Sequence, residues 1–146
     1  MIIPKKVFIS HQDQCDENEI EGLVEYLKNH GFDVEHGKLS SEDFAKIIAT
    51  TESYVCVLEQ NTYKSEEIAK EILTAASQGK NIFAIFCPTL TMTITIPSAI
   101  EDFATGITDW NIEKLGEGLI GKDIGFSDQQ GKPKKVFVKP NKPPCN

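Results

Sequence analysis

The sequence predicts an α/β fold, a doubly wound and mostly parallel sheet of about five strands with helices on both faces. Three observations lead there. Short apolar runs at residues 7–9, 54–58 and 82–87 lack helical spacing and read as buried strands. The segments between them place apolar residues at intervals of three and four, the period of an amphipathic helix. Gly31 and Gly79 close two of those helical segments where a C-terminal glycine is favoured. Strand and helix therefore alternate at short range, and right-handed β-α-β crossovers into a parallel sheet follow.

Each element has its own justification. Val7, Phe8 and Ile9 follow Lys5 and Lys6 as the first strand, which ends at Ser10. Over residues 16–30, Ile20, Leu23, Val24 and Leu27 form one apolar stripe; acidic residues crowd the first turn, and Lys28 and His30 lie in the last, matching the helix dipole. Residues 32–34 resume as a strand, and residues 35–38 read as a loop. Ser40 or Ser41 caps a second helix carrying Phe44, Ile47 and Ile48. After the strand at 54–58, residues 59–62 form a polar loop. Residues 65–77 return to helical spacing through Ile68, Ile72, Leu73 and Ala76, with Thr62 or Ser65 as N-cap. The strand at 82–87, apolar on both faces, reads as central. Beyond Pro88 come a Thr-rich stretch, a short helix near 96–103, a brief strand at 106–109, and a helix over 111–120 with two unfavourable glycines, Gly116 and Gly118. Residues 1–122 form the domain; 123–146 are a Gly/Pro/Lys-rich extension in which 136–138 can add an edge strand.

A length of 146 residues suits one ordinary domain and leaves no room for a second catalytic one. The net charge is −7, and all 15 basic residues are lysines. Bidentate arginine clamps on phosphate are thus excluded, and any phosphate must be met by lysine, hydroxyls or backbone N–H groups. An acidic chain also lacks the basic face of a nucleic-acid binder. Cys15, Cys56, Cys87 and Cys145 are scattered without a C-x-x-C pair or a nearby histidine cluster, which argues against zinc, and no metal ligand set is expected. Cys56 and Cys87 read as small buried hydrophobes in a reducing compartment. With no apolar stretch of roughly 18 residues and an N-terminus too mixed for a signal peptide, the expected location is the cytoplasm, away from any membrane.

In a doubly wound sheet, ligands sit beyond the carboxyl ends of the strands where the chain order switches sides. That rule selects Ser10 and His11 after the first strand, the 35–38 loop with Gly37 after the second, and residues 59–61, with Asn61, after the third. The following helix adds Ser65 and, six positions on, Glu71. Glu71 lies among Ile68, Ile72, Leu73, Ala75 and Ala76, where an outward glutamate is ordinary and an inward one costly. Helical spacing alone leaves both orientations open.

The run V-F-I-S-H, then G-F-D-V, then Y-V-C-V-L-E-Q-N-T-Y-K-S-E-E-I-A-K-E-I resembles the TIR family, over residues 5 to about 120. The spacing from Ser65 to Glu71 is similar to the family's S-x-W-C-x-x-E, although Glu67 and Ile68 stand where the family has the aromatic residue and the cysteine. The short bacterial TIR-like proteins of the Thoeris anti-phage type are the most similar in pattern, sharing a compact second-strand loop and an I-P... W-N stretch like residues 96–111. The resemblance implies a flavodoxin-like fold and cleavage of the nicotinamide–ribose bond of NAD, used as substrate with no resident cofactor. Linear or cyclic ADP-ribose would act as a diffusible signal to a downstream effector, and the chain would assemble as a homo-oligomer. It further implies that Glu71 is catalytic and that Ser10, His11, Ser65, Asn61, Gly37 and Trp110 line the substrate, Ser65 on ribose and Ser10 with N–H groups near His11 on phosphate or adenine ribose. The segment E-I-L-T-A-A-S-Q-G-K is also similar to nucleoside deoxyribosyltransferases.

A carboxylate suits such chemistry because breaking the bond builds positive charge on the sugar, which a partly dehydrated anion stabilises. Nicotinamide is already a cationic leaving group and needs no strong acid. Beside this reading stand a non-catalytic interaction module assembling through the 35–38 loop and a deoxyribosyltransferase-like enzyme. His11 as a solvated residue and Trp110 as a packing residue are the plain alternatives to ligand contacts.

Overall fold

The computed structural model describes residues 5–12, 14–37 and 40–133. The elements are β1 (Lys5–Ser10), α1 (Glu17–Asn29), β2 (Phe32–Gly37), α2 (Ser41–Ala49), β3 (Ser53–Leu58), α3 (Glu66–Ser77), β4 (Asn81–Phe86), α4 (Ser98–Phe103), β5 (Gly106–Thr108) and α5 (Ile112–Leu119). A single 3₁₀ turn, Thr62–Lys64, precedes α3. The strands form one five-stranded sheet in the order β2-β1-β3-β4-β5, and each named pair is parallel. This is the α/β doubly wound, flavodoxin-like architecture that the alternating pattern predicts.

Strand alternation divides the core between the two faces. Val7, Ile9, Val55, Val57, Phe83 and Ile85 meet the stripe of α1 together with Leu115 and Leu119 of α5. Phe8, Tyr54, Cys56, Leu58, Ile82 and Ala84 meet Phe44 and Ile48 of α2, Ile68 and Ile72 of α3, and Ile100 of α4. Local chemistry defines the helix starts: Asp16 caps α1, Ser40 caps α2, Ser65 caps α3 and Asn111 caps α5, each accepting a backbone N–H.

Several expectations need correction. Residues 35–37, read as loop, continue β2, because β1 stays paired with it through His36 opposite Ile9 and Gly37 opposite Ser10. Cys87, read as a free buried thiol, is bonded to Cys15 at a sequence separation of 72, the loop after β1 and the end of β4 coming within 5.9 Å between Cα atoms. The two glycines of α5, unfavourable for a helix, have different settings. A Cβ on Gly118 would stand 2.9 Å from the Phe83 ring and 3.2 Å from Ile124, so its absence lets α5 lie close on β4; Gly116 meets only the Tyr26 ring, at 3.6 Å. Residues 124–127 extend the edge beyond β5, where Ile107 donates to the Gly125 carbonyl and accepts from the Ser127 N–H. The strand expected at 136–138, together with Lys38 and Cys145, lies outside the described residues. Among the described residues no helix is long and apolar enough to cross a membrane.

Candidate functional site

The strand order reverses between β1 and β3, and the carboxyl ends of these two strands frame the site. Register sets what is exposed there. Phe8 pairs with Tyr54 and Ser10 with Cys56, so the hydroxyls of Ser10 and Tyr54 lie on the same face of adjacent strands. That face is covered by α3, whose Ile68, Ile72 and Ala75 are buried against it. Burying each isoleucine contributes about 1.5–3 kcal/mol and holds the rotation of the helix. Glu71 borders this stripe, one position before Ile72, and therefore reaches the sheet at its margin.

There Glu71 is half-buried, and both its hydrogen bonds fall on one oxygen. Oε1 accepts from Ser10 Oγ at 2.7 Å and from Tyr54 Oη at 2.8 Å. Oε2 accepts no hydrogen bond among the described residues, and no buried side-chain polar atom there lacks a partner, so Oε2 keeps contact with solvent. Burial raises the Glu71 pKa above the ordinary 4.5; the Ser10 and Tyr54 hydrogen bonds act against that rise and nearby Glu67 adds to it. The result is a carboxylate fixed by one oxygen and presented by the other. Tyr54, fully buried, is pushed well above its ordinary value, first by burial, then by Cys56 and Glu71, and stays a donor. Burial likewise raises the Cys56 thiol far above its usual range, which removes it as a nucleophile at neutral pH.

Above Ser10 the loop after β1 is fastened by a second acid. Glu59, only 1% exposed, accepts from the backbone N–H groups of Gln12, Gln14 and Cys15. Its own N–H donates to Thr62 Oγ1 at 2.8 Å. Of the N–H groups near His11 expected to hold phosphate or adenine ribose, those of Gln12, Gln14 and Cys15 are thus engaged by an internal carboxylate, and Ser10 Oγ donates to Glu71.

The remaining candidates divide. Gly37 ends β2 beside Ser10, with φ at +123°. His11 stacks on His36 with ring centroids 5.5 Å apart, His11 Nε2 lying 3.3 Å from His36 Nδ1. Burial, then the neighbouring His11, lowers the His36 pKa. Two hollows flank Gln12: one of about 570 Å³ with His11, Gln14, Asp16, Asn18 and Thr89 on its walls, another of about 510 Å³ with Asn61, Lys64, Ser65 and Glu67. Glu71 lines neither and reaches the rim through Ser10. Ser65 Oγ accepts the Ile68 N–H at 3.1 Å as helix cap, which leaves its proton and one further lone pair for a ligand. Trp110 is not brought to this crevice. It lines a separate hollow of about 310 Å³ with Phe86, Leu90 and Asp109, at the ends of β4 and β5, because those strands lie on the far side of β3.

Tyr54 is the site residue that sequence reasoning passed over, and Glu59, within the 59–61 segment selected at a strand end, was given no role of its own. A tyrosine in a fully apolar strand carries a hydroxyl that must find a partner, and that was the available signal for Tyr54. Glu59, directly after a buried strand, looks like any polar loop residue. Among the described residues no group of three or more His, Cys, Asp or Glu side chains is arranged to hold a metal ion.

No protein-family model matches this chain, and no curated protein matches it. Among solved structures it is similar to the NAD+-bound 3-phosphoglycerate dehydrogenase of Entamoeba histolytica, with 14% identity and a TM-score of 0.43, over 73% of this chain and 32% of that one. The chain thus spans about a third of that enzyme's length, and its fold assignment rests on its own strand order.

Proposed function

We propose that the protein cleaves the nicotinamide–ribose N-glycosidic bond of NAD, with Glu71 as the catalytic carboxylate. The observation that carries this reading is the division of labour between the two Glu71 oxygens: Oε1 anchored by Ser10 and Tyr54, Oε2 without a hydrogen-bond partner among the described residues and in contact with solvent. As the bond from ribose C1′ to the nicotinamide nitrogen lengthens, its electron pair leaves with nicotinamide and positive charge grows on the sugar. Oε2 faces that charge. Its attraction is larger in the transition state than in the ground state, which is what lowers a barrier. Water then adds to C1′ and loses a proton, giving ADP-ribose; attack by the substrate's own adenine in place of water gives the cyclic product.

The anchoring matters because a free glutamate must lose rotamer freedom as charge develops. Here two charge-assisted hydrogen bonds, each worth about 1.5–3 kcal/mol, hold it beforehand. The rim hollows beside Gln12 would take the adenosine end. In this reading the protein is a homo-oligomeric, cytoplasmic enzyme of bacterial anti-phage defence whose product reaches a separate effector.

The test is incubation with NAD, free nicotinamide being followed by chromatography, for wild type and Glu71→Gln. Release by wild type, lowered roughly 10²-fold or more in the variant, is the expected outcome. Equal release at the uncatalysed rate by both, in dilute and concentrated protein alike, would remove the enzymatic reading and leave an interaction module.

A further inference from the structure

A dinucleotide brings a diphosphate, and this chain meets it with little of the usual equipment. It has no arginine. The backbone N–H groups of the loop after β1, the natural cradle at the switch point, are already held by Glu59. Asp16, Glu17 and Glu67 on the walls of the rim hollows add negative charge. Against these acids the described walls set Lys64, and one further place on the rim is shaped for a cation.

His11 Nε2 and His36 Nδ1 face each other at 3.3 Å. Nitrogens bound to one tetrahedral zinc ion at about 2.0–2.1 Å are necessarily about 3.3–3.4 Å apart. The other nitrogen of His11, Nδ1, lies 3.3 Å from the Gln12 carbonyl oxygen. As the donor in that contact it leaves the Nε2 lone pair pointing at His36. A backbone carbonyl that fixes the tautomer in this way is the usual support of a metal-binding histidine. Both residues are supported by the sheet: His36 is in β2 opposite Ile9, and His11 follows Ser10 directly. The same spacing also fits a plain N–H···N hydrogen bond, in which a proton occupies the place of the metal.

The geometry points to a binding site for a zinc-class divalent ion formed by His11 Nε2 and His36 Nδ1 on the rim beside Ser10. Two protein ligands leave coordination positions for water or for phosphate oxygens, and imidazole nitrogen selects zinc, copper or nickel over magnesium or calcium. The ion would add to the counter-charge that Lys64 offers the diphosphate; this second role rests on the dinucleotide reading above.

The first experiment uses the metal alone. The full chain, freed of metal with a chelator, is titrated with zinc chloride by calorimetry. One ion should bind per chain, and His11→Gln or His36→Gln should weaken binding about tenfold or more. His30→Gln should leave it unchanged, since His30 is stacked on Tyr26 away from the pair. In wild type, a measurement independent of any variant's folding, zinc should move the ring resonances of His11 and His36 together and leave those of His30 in place. Absence of binding, or binding indifferent to both substitutions, overturns the site. A second titration follows ADP-ribose with and without zinc. Tightening in wild type, absent in His36→Gln, supports both roles. Zinc binding by the pair without any change for ADP-ribose upholds the cation site and overturns the diphosphate role, while nicotinamide release stands or falls on Glu71 separately.

Discussion

At Glu71 burial and hydrogen bonding pull in opposite directions, and burial wins: the carboxyl titrates above its ordinary 4.5 in the folded chain. The sign of the consequence is fixed by linkage. A group whose folded pKa exceeds the unfolded value stabilises fully below the unfolded pKa, and that contribution is lost as pH rises through the folded one. Glu71→Gln keeps an acceptor for Ser10 and Tyr54 without the charge. Wild type should therefore lose stability relative to the variant as pH rises from the unfolded glutamate value, about 4.3, through the raised folded one, a change read from urea midpoints at each pH. The variant should be at least as stable at the upper end while losing nicotinamide release, the signature of a residue retained for chemistry. Tyr54→Phe tests positioning. Removing a donor that favours the charged form should raise the Glu71 pKa further, visible in the carboxyl carbon resonance, and cost about 1–2 kcal/mol of stability. An unmoved Glu71 titration would mean that the hydroxyl does not hold the carboxylate.

At the scale of elements, the loop after β1 depends on one side chain. Glu59 satisfies three backbone N–H groups across 44 to 47 residues of chain. Glu59→Ala strands those donors, so a loss of about 3 kcal/mol is expected, with accelerated amide exchange at Gln12, Gln14 and Cys15 and little change in β4. Uniform acceleration would show instead that the loop and the sheet open as one unit. In α5, Gly118→Ala should cost about 1–3 kcal/mol through overpacking on Phe83 and Ile124, a shift read from the urea midpoint. These contacts also mark what the sequence could disclose. The stripe of Ile20, Leu23, Val24 and Leu27 and the caps at Ser40 and Ser65 are local, written within a few residues, so the helices could be read from them. Glu71 stood out only as an acid beside an apolar stripe, and its orientation was settled by Ser10, 61 residues away. The Glu59 fastening, the His11 and His36 pair and the bond from Cys15 to Cys87 all join distant segments, where no periodicity announces them. Trp110 was assigned to the site because strand-end position does not say which side of β3 an end falls on.

Across the whole molecule, the Cys15–Cys87 bond ties the loop after β1 to the end of β4 and so bridges the end of β3 between them. A closure spanning 72 residues removes about 4 kcal/mol of denatured-state entropy on the chain-entropy account. For a domain of this size that corresponds to roughly 10 °C in melting temperature. Reduction should not unfold the chain, since the hydrogen bonds to Glu59 and the burial of Ile9, Ile20 and Ile85 on either side persist without it. The expected result is a lower melting temperature in a dithiol reductant, reproduced by the double substitution Cys15→Ser with Cys87→Ser and insensitive to reductant once both sulfurs are gone. Cys56, buried and unbonded, should make no difference when changed to alanine in this comparison beyond its own packing. Because the bond closes the loop that carries His11 and Gln12, the oxidised protein should also show slower amide exchange at Gln12 and Gln14 than the reduced one. Identical melting and exchange in the two redox states would mean that the sulfurs stand together as thiols, the state a reducing compartment maintains.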